Sequence, residues 1–320
     1  MIKILLGGSP CTYWSVAKNG REMVANGLGW ELFNNYLVEK EKFKPDYFLY
    51  ENNWSASTEI KEQIQNSLKE KLVRINSNLF SAQNRDRFYV INSEIGFIKD
   101  KDISLIDIID TKEQYKSLSD NEILYMCRNV KGGRTHWDFC FHNYYKNKKS
   151  HCITSNFRKG VPYNVLIDNC NRYDNVTKTY KVSNKTLYIN NNAYDIPVED
   201  GDYVIRKFHR KEICRLQTIP DEYCDSVSYS QALKCLGNGW TANVIIYLLS
   251  IALDGVNRDE ELNVVSMYDG IGTGLYCLKQ LGFHNIHYFS YEIDKYAIEI
   301  AMKNHPEIIQ CGNAFSVLKD

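Results

Sequence analysis

Asn263-Val-Val-Ser-Met-Tyr-Asp-Gly-Ile-Gly-Thr-Gly274 is an apolar, strand-like run that breaks into a glycine-rich turn, and Leu275 to Leu281 continue it as a helix. Strand, glycine turn and helix in that order leave backbone amides free at a helix N-terminus and let a ligand approach the main chain closely. A turn of this kind alone fits several nucleotide folds. About twenty residues on, Tyr288 to Tyr291 read as a second strand ending in Glu292, a carboxylate placed to hold ribose hydroxyls. Turn and acid together point to a nucleoside-bearing cofactor. Ile308 to Gly312 read as a third strand with Asn313 at its tip, and residues 254 to 262, charged and turn-rich, as a linker.

The amino-terminal stretch has the same grammar with a different ending. Lys3 to Leu6 are apolar and β-prone, and Gly7-Gly-Ser-Pro-Cys-Thr-Tyr-Trp-Ser15 follows. This predicts a buried parallel strand whose Gly-Ser-Pro turn presents the thiol of Cys11 at the carboxyl edge of a sheet. Most cysteines are core filler, so position alone makes Cys11 only a candidate nucleophile. Lys18 to Asn26 are polar with glycines at the margins, as suits a mobile loop over a site. Leu28 to Val38 have helical spacing, and Asp46 to Tyr50 form a second short strand ending in Glu51-Asn52. Glu51 then stands on the same edge as Cys11. Ile60 to Leu72 read as an amphipathic helix. Gln83-Asn-Arg-Asp-Arg-Phe-Tyr-Val-Ile91 sets Arg85 and Arg87 on one side of a strand's start, suited to grip a carboxylate or carbonyl.

From about residue 93 to 205 the helix–strand alternation fades and Asn, Tyr, Lys and Gly dominate, which predicts a separate, strand-rich small domain. Thirty-nine basic residues balance 39 acidic ones, and zero net charge argues against nucleic acid. The distribution reverses that argument, because Arg128 to Lys185 hold twelve Lys or Arg against three Asp, interleaved with aromatics. Such a patch fits phosphate and base contacts. Ten cysteines without close pairing, and no signal peptide, predict reduced thiols in a cytoplasmic, soluble chain. Cys140, His142, His151 and Cys152 lack the spacing of a zinc site, so no metal is expected. Val244 to Leu253 have only the length of a buried helix, and no membrane partner is expected. Arg206 to Gln217 carry Arg210, Glu212 and Arg215 ahead of Pro220-Asp221, and Ala232 to Leu253 form an apolar-rich segment with Leu236-Gly237-Asn238-Gly239 near its start.

Taken together, these residues resemble the DNA cytosine C5-methyltransferases, over nearly the whole chain except residues 93 to 205. Ser9-Pro10-Cys11 is similar to that family's nucleophile motif, Glu51-Asn52 to its Glu-Asn motif, and Gln83-x-Arg85-x-Arg87 to its paired-arginine motif. Arg210 to Asp221 resemble the element that scaffolds the recognition domain, and Gly237-Asn238 the late helix that returns to the cofactor. Tyr268-x-Gly270-x-Gly272 resembles the S-adenosylmethionine turn, with Tyr where the family usually has Phe. In local detail this turn and Gly237 to Trp240 look closest to the animal de novo branch. Asn313 replaces the usual Asp, and Trp30 the usual Arg after Gly29. The cofactor turn comes last here where the family has it first, which predicts a circular permutation, with 254 to 262 bridging the usual termini.

The resemblance implies a Rossmann-like α/β sheet, circularly permuted, with an inserted smaller target-recognition domain: 1–92 the catalytic half, 93–205 the recognition domain, 206–320 the remainder with the cofactor half. It implies S-adenosyl-L-methionine, double-stranded DNA with a target cytosine, a monomer in a bacterial or phage-infected cell, and an accompanying restriction enzyme as an expected partner. Cys11, Glu51, Arg85 and Arg87 become the catalytic set. The cofactor wall becomes Tyr268, Asp269, Gly270, Ile271, Gly272, Thr273, Glu292, Ile293, Asn313, Ala314, Asn238 and Trp240. DNA contacts fall to Ser15, Arg128, Lys131, Arg134, Arg158, Lys159, Arg210 and Arg215. The same chemistry on tRNA, and a catalytically silent DNA-binding regulator, remain as alternatives.

Overall fold

The computed structural model describes the chain except residues 114, 128, 131–133, 136–140, 143–147, 156–163, 197 and 319–320, with backbone alone at 129–130, 134–135 and 141–142. The strands are β1 (Ile2–Gly7), β2 (Tyr47–Asn53), β3 (Leu72–Asn76), β4 (Asp86–Ile91), β5 (Asn129–Val130), β6 (Arg134–Thr135), β7 (Phe141–His142), β8 (Val165–Asn169), β9 (Tyr180–Ser183), β10 (Thr186–Ile189), β11 (Asn192–Asp195), β12 (Gly201–Lys207), β13 (Leu262–Met267), β14 (Ile286–Tyr291) and β15 (Ile309–Gln310).

Seven of them form a sheet in the order β15-β14-β13-β1-β2-β4-β3, parallel except for β4, which runs against both β2 and β3. Both faces are covered, and the alternation along β1 shows why these strands read as continuous apolar runs. Ile4 and Leu6 pack with the helices Ala242–Ala252, Thr273–Gln280 and Lys295–Asn304, whereas Leu5 faces Phe33 and Tyr36 of the helix Leu28–Phe43 and Ile60 and Ile64 of the helix Thr58–Leu68. A parallel sheet brings its carboxyl ends to one edge, and the start of the reversed β4 joins them there.

Three boundaries differ from the sequence expectation. The helix expected over 60–72 ends at Leu68, where Lys69 takes φ +59°, and Leu72 opens β3 instead. The segment 232–253 is two helices, Tyr229–Asn238 and Ala242–Ala252, because the backbone is extended at Gly239 and Thr241. Taken as one stretch, Tyr229–Ala252 is long and apolar enough to cross a membrane by length and composition. The break and the burial of Leu233, Leu236, Val244, Ile245 and Leu248 in the core fit a buried helix pair. The helix from Leu28 runs on to Phe43, ending where Lys44 turns left-handed before Pro45.

β11-β10-β9-β12-β8-β7 make a second sheet, with β5 and β6 pairing apart from it. Leu118, Ile123 and Met126 cover this sheet's own core of Val165, Ile167, Tyr180, Val182 and Ile205. Residues before it belong elsewhere: Ile95, Ile98, Ile103, Leu105 and Ile108 pack into the first sheet's core.

Candidate active site

β1 delivers the chain through Gly8, Ser9 and Pro10 to Cys11, which opens a short 3-10 turn. The turn is braced from β2. Asn52 Nδ2 donates to the Ser9 carbonyl at 2.8 Å, and the Ser9 hydroxyl shares a 2.7 Å bond with the Tyr50 hydroxyl. Gly8 is required by close approach, since a Cβ there would stand 2.8 Å from the Glu51 carbonyl oxygen and 3.0 Å from Glu51 Oε2. Burial pushes the partly buried Cys11 thiol above its ordinary range, outweighing the nearby Arg87 and Arg85 charges that favour the thiolate.

Glu51 is buried with both oxygens engaged. Arg87 Nε lies 3.0 Å from Oε1, and Trp240 Nε1 donates to Oε2 at 3.1 Å. Arg87, paired across the ladder with Asn53, also donates through Nη1 to the Asp86 carbonyl at 2.8 Å. Burial works against its charge, but the Cys152, Glu51 and Cys11 charges raise its already high pKa further. Arg85 makes no hydrogen bond to Glu51. Its guanidinium clamps backbone instead: Nη1 donates to Ile153 O at 2.9 Å and approaches Cys152 Sγ at 3.4 Å, while Nη2 donates to the carbonyls of Gly237 and Gly239 at 3.2 and 2.7 Å.

The glycine turn after β13 holds Tyr268, Gly270 and Gly272 at φ +60°, +67° and +77°. Nothing lies within 4 Å of where a Cβ on Gly270 would stand, so a side chain there would project into open space. Glu292, at the end of β14, accepts from Gly270 N at 2.8 Å and from Ile293 N and Asp294 N at 2.7 and 2.8 Å. Ile293 beside it is 71% exposed, an apolar face at the cavity wall. Asp269 faces the other way chemically, its buried carboxylate accepting from Ser266, Tyr288 and Ser290 hydroxyls at 2.7, 2.6 and 3.1 Å. It is a strut of the turn. Tyr223 supports the turn from below, donating to Ile271 O at 3.1 Å and meeting His305 Nε2 at 3.0 Å. Asn313 Oδ1 accepts from Phe315 N at 3.0 Å, capping the last short helix above the buried Ala314.

One cavity of about 480 Å³ joins the two groups: Cys11, Glu51, Arg85 and Arg87 line one end, and Tyr268, Asp269, Gly270, Ile271, Thr273, Glu292, Ile293, Asn313, Ala314, Asn238 and Trp240 line the rest. Gly272 does not line it. The residues fit S-adenosylmethionine: an open glycine turn, the N-terminus of the helix Thr273–Gln280, a strand-end acid and an exposed apolar side chain suit a nucleoside.

Residues 14 to 27 line no part of the cavity. Arg21 Nη1 donates to Ser55 O at 2.5 Å, Ser57 Oγ to Met23 O at 2.6 Å, and Glu22 accepts from Trp14 Nε1 at 3.2 Å and Gly29 N at 3.1 Å. The loop therefore rests on the 53–57 turn. Ser15 Oγ accepts from Ala17 N within it. Arg210 and Arg215 are partly exposed and carry ion pairs, Arg210 with Asp225 at 2.6 Å and Arg215 with Asp221 and Asp110. Arg128, Lys131, Arg158 and Lys159 lie outside the described residues, as does the side chain of Arg134. Cys140 and the His142 side chain also lie outside them. Sequence reasoning missed Trp240's bond to Glu51 and Lys149, whose Nζ donates to the carbonyls of Asn78, Ser81 and Ile103; no local pattern announces either.

A nucleotide-type pocket opening onto a thiol and a buried carboxylate is the arrangement of an α/β group-transfer enzyme. Residues 1–251 match the family model described as C-5 cytosine-specific DNA methylase, and the chain belongs to that family, the DNA (cytosine-5)-methyltransferases. The Type II methyltransferase M.HaeII of Haemophilus aegyptius is 23% identical over 270 residues, covering 79% of this chain and 74% of its own length. The Type II methyltransferase M.SsoII of Shigella sonnei is 26% identical over 259 residues, covering 76% of this chain; the chain spans 62% of that relative's length. Among solved structures, the S. pombe Dnmt2 methyltransferase is 16% identical, covers 79% of both chains and superposes with a TM-score of 0.47.

Proposed function

We propose that this protein transfers a methyl group to carbon 5 of cytosine in duplex DNA, at a specific sequence, through a covalent bond from Cys11. The observation that carries the reading is the single cavity in which the Cys11 turn, Glu51 and Arg87 meet the glycine turn and Glu292. Carbon 5 is a poor nucleophile until a thiolate adds to carbon 6 and ring nitrogen 3 is protonated or hydrogen-bonded. Cys11 is the nucleophile in this account and Glu51 the group facing ring nitrogen 3. Arg87, already on Glu51, binds the base carbonyl and steadies the thiolate once substrate excludes water. Arg85 holds the walls together. S-adenosylmethionine, held by the turn 268–273, Glu292, Ile293 and Asn313, supplies the electrophilic methyl group. After transfer a base takes the proton from carbon 5 and Cys11 departs.

Carbon 6 is out of reach in a stacked duplex, so the base must flip out, at a cost of a few kcal/mol. The loop 14–27, resting away from the cavity, is the element that closes over it, with Ser15 toward DNA. The second sheet is the target-recognition module, read from its separate core, and the basic residues between 128 and 159 are its contacts. The sheet order, with β13 beside β1 and the cofactor turn after the matched region 1–251, supports a circular permutation in which β13 to β15 come last. Type II relatives support a place in a restriction–modification pair in a bacterial or phage-infected cell, the protein acting as a monomer.

Incubation with labelled S-adenosylmethionine and mixed DNA, followed by mapping of methylated cytosines, tests the reading. Label on carbon 5 of cytosine at one sequence is expected. Label on tRNA and none on DNA refutes the substrate. Duplex carrying 5-fluorocytosine should trap wild type covalently, and trapping that survives Cys11→Ser excludes Cys11 as nucleophile.

A further inference from the structure

Glu51 must face the target ring, yet the arginine beside it is built to take both carboxylate oxygens in a fork. The structure shows why it does not. Arg87 meets Oε1 through Nε at 3.0 Å, and its Nη1 is drawn to the Asp86 carbonyl. Oε2 is held by the Trp240 indole N–H at 3.1 Å, and a Cβ on Gly8 would stand 3.0 Å from the same oxygen. Indole is a donor only and carries no charge, so this bond orients the acid without competing for its proton.

Trp240 itself is fixed at both flanks. The Gly239 carbonyl accepts from Arg85 Nη2 at 2.7 Å, and Thr241 Oγ1 donates to Gln217 Oε1 at 3.0 Å. Its ring also lines the cavity beside Asn238. We infer that Trp240 is a positioning residue for Glu51: its N–H keeps one carboxylate oxygen out of the Arg87 fork, so that a single side chain joins the methyl-donor pocket to the acid that meets the target base. This inference rests on the cytosine-methylating reading of the site.

Trp240→Phe keeps a ring in the wall and removes the N–H. Loss of a hydrogen bond to a charged group predicts kcat about ten-fold lower, with the dissociation constant for S-adenosylmethionine and the KM for DNA within about two-fold of wild type. Trp240→His, which restores a ring N–H, regains part of the rate. In protein labelled with ¹⁵N-tryptophan, the Trp240 indole resonance, identified by its loss in Trp240→Phe, moves upfield in Glu51→Gln. An unchanged kcat in Trp240→Phe, or a loss confined to cofactor affinity, overturns the inference. So does an indole resonance unmoved by Glu51→Gln, a readout that needs no turnover. A wild-type protein that labels no cytosine while the resonance does move overturns the functional reading alone.

Discussion

Replacing Gly274 by alanine tests how the cofactor turn is tied to the sheet. A Cβ at Gly274 would stand 2.3 Å from the Tyr288 hydroxyl and 2.8 Å from Leu6 Cδ1. The Tyr288 ring would have to retreat by about 1 Å to reach van der Waals distance. It cannot do so and keep its 2.6 Å bond to Asp269, the carboxylate that holds the turn to β13 and β14. Overpacking costs about 1–3 kcal/mol, and a lost bond to a charged acceptor about 1.5–3 kcal/mol. Gly274→Ala should therefore destabilise by about 3–5 kcal/mol. Tyr288→Phe alone should cost only the bond. In the double variant the hydroxyl is absent both as obstacle and as donor, so the combined loss should fall short of the sum of the two singles by about 1.5–3 kcal/mol. Equilibrium urea unfolding of the four proteins, with S-adenosylmethionine affinity measured in parallel, gives the cycle. Strict additivity would refute the claim that the glycine exists to make room for this hydroxyl.

Gly270→Val places a branched side chain at φ +67° and aims it into the cavity, so S-adenosylmethionine affinity should fall at least about ten-fold by calorimetry; unchanged affinity would remove this turn from the cofactor site. His305, under the same turn between Tyr223 and the Lys279–Glu307 pair, is pushed down to about 4 by burial and then by the Lys279 charge. With the folded value below the ordinary 6.5, the unfolded chain takes up the proton first. Stability is whole above about pH 6.5 and declines as pH falls toward 4, by up to about 2 kcal/mol after solvent screening. His305→Gln should flatten that decline in urea midpoints taken at pH 7 and pH 5; an undiminished slope would assign it to other groups.

The chemistry at the sheet edge was legible because strand-end residues inherit their position from the strand. Apolar runs at 3–6, 46–50, 263–267 and 288–291 place Cys11, Glu51, the glycine turn and Glu292 along one edge whatever packs behind them. What failed depended on partners remote in sequence. Lys69 ends its helix by a left-handed turn, a choice Leu72 makes worthwhile only because β4 is there to pair with β3. The ion pairs of Arg210 with Asp225 and of Arg215 with Asp221 and Asp110 were likewise invisible in the local sequence. The bonds by which Glu22 and Arg21 hold the polar loop to Trp14, Gly29 and Ser55 in this conformation could not be read from its composition. Trp240 was placed at the cofactor wall by its motif, but its bond to Glu51 spans 189 residues of sequence.

The chain passes between the two sheets through segments that are riveted to the first. Lys149 grips three backbone carbonyls, Gln83 Oε1 accepts from Ile153 N at 2.7 Å, Arg85 takes Ile153 O, and Gly237 leaves room for the backbone of Thr154 and Ser155. On the return, Arg206 and Glu212 form a buried pair with bonds of 2.8 and 2.7 Å. Anyone exchanging the smaller module between relatives should leave 148–155 and 206–217 with the host and splice only beyond them. A graft cut inside these rivets would loosen Gly239 and Trp240 along with the foreign part, and the chimera would lose turnover for a reason unrelated to the exchanged sheet.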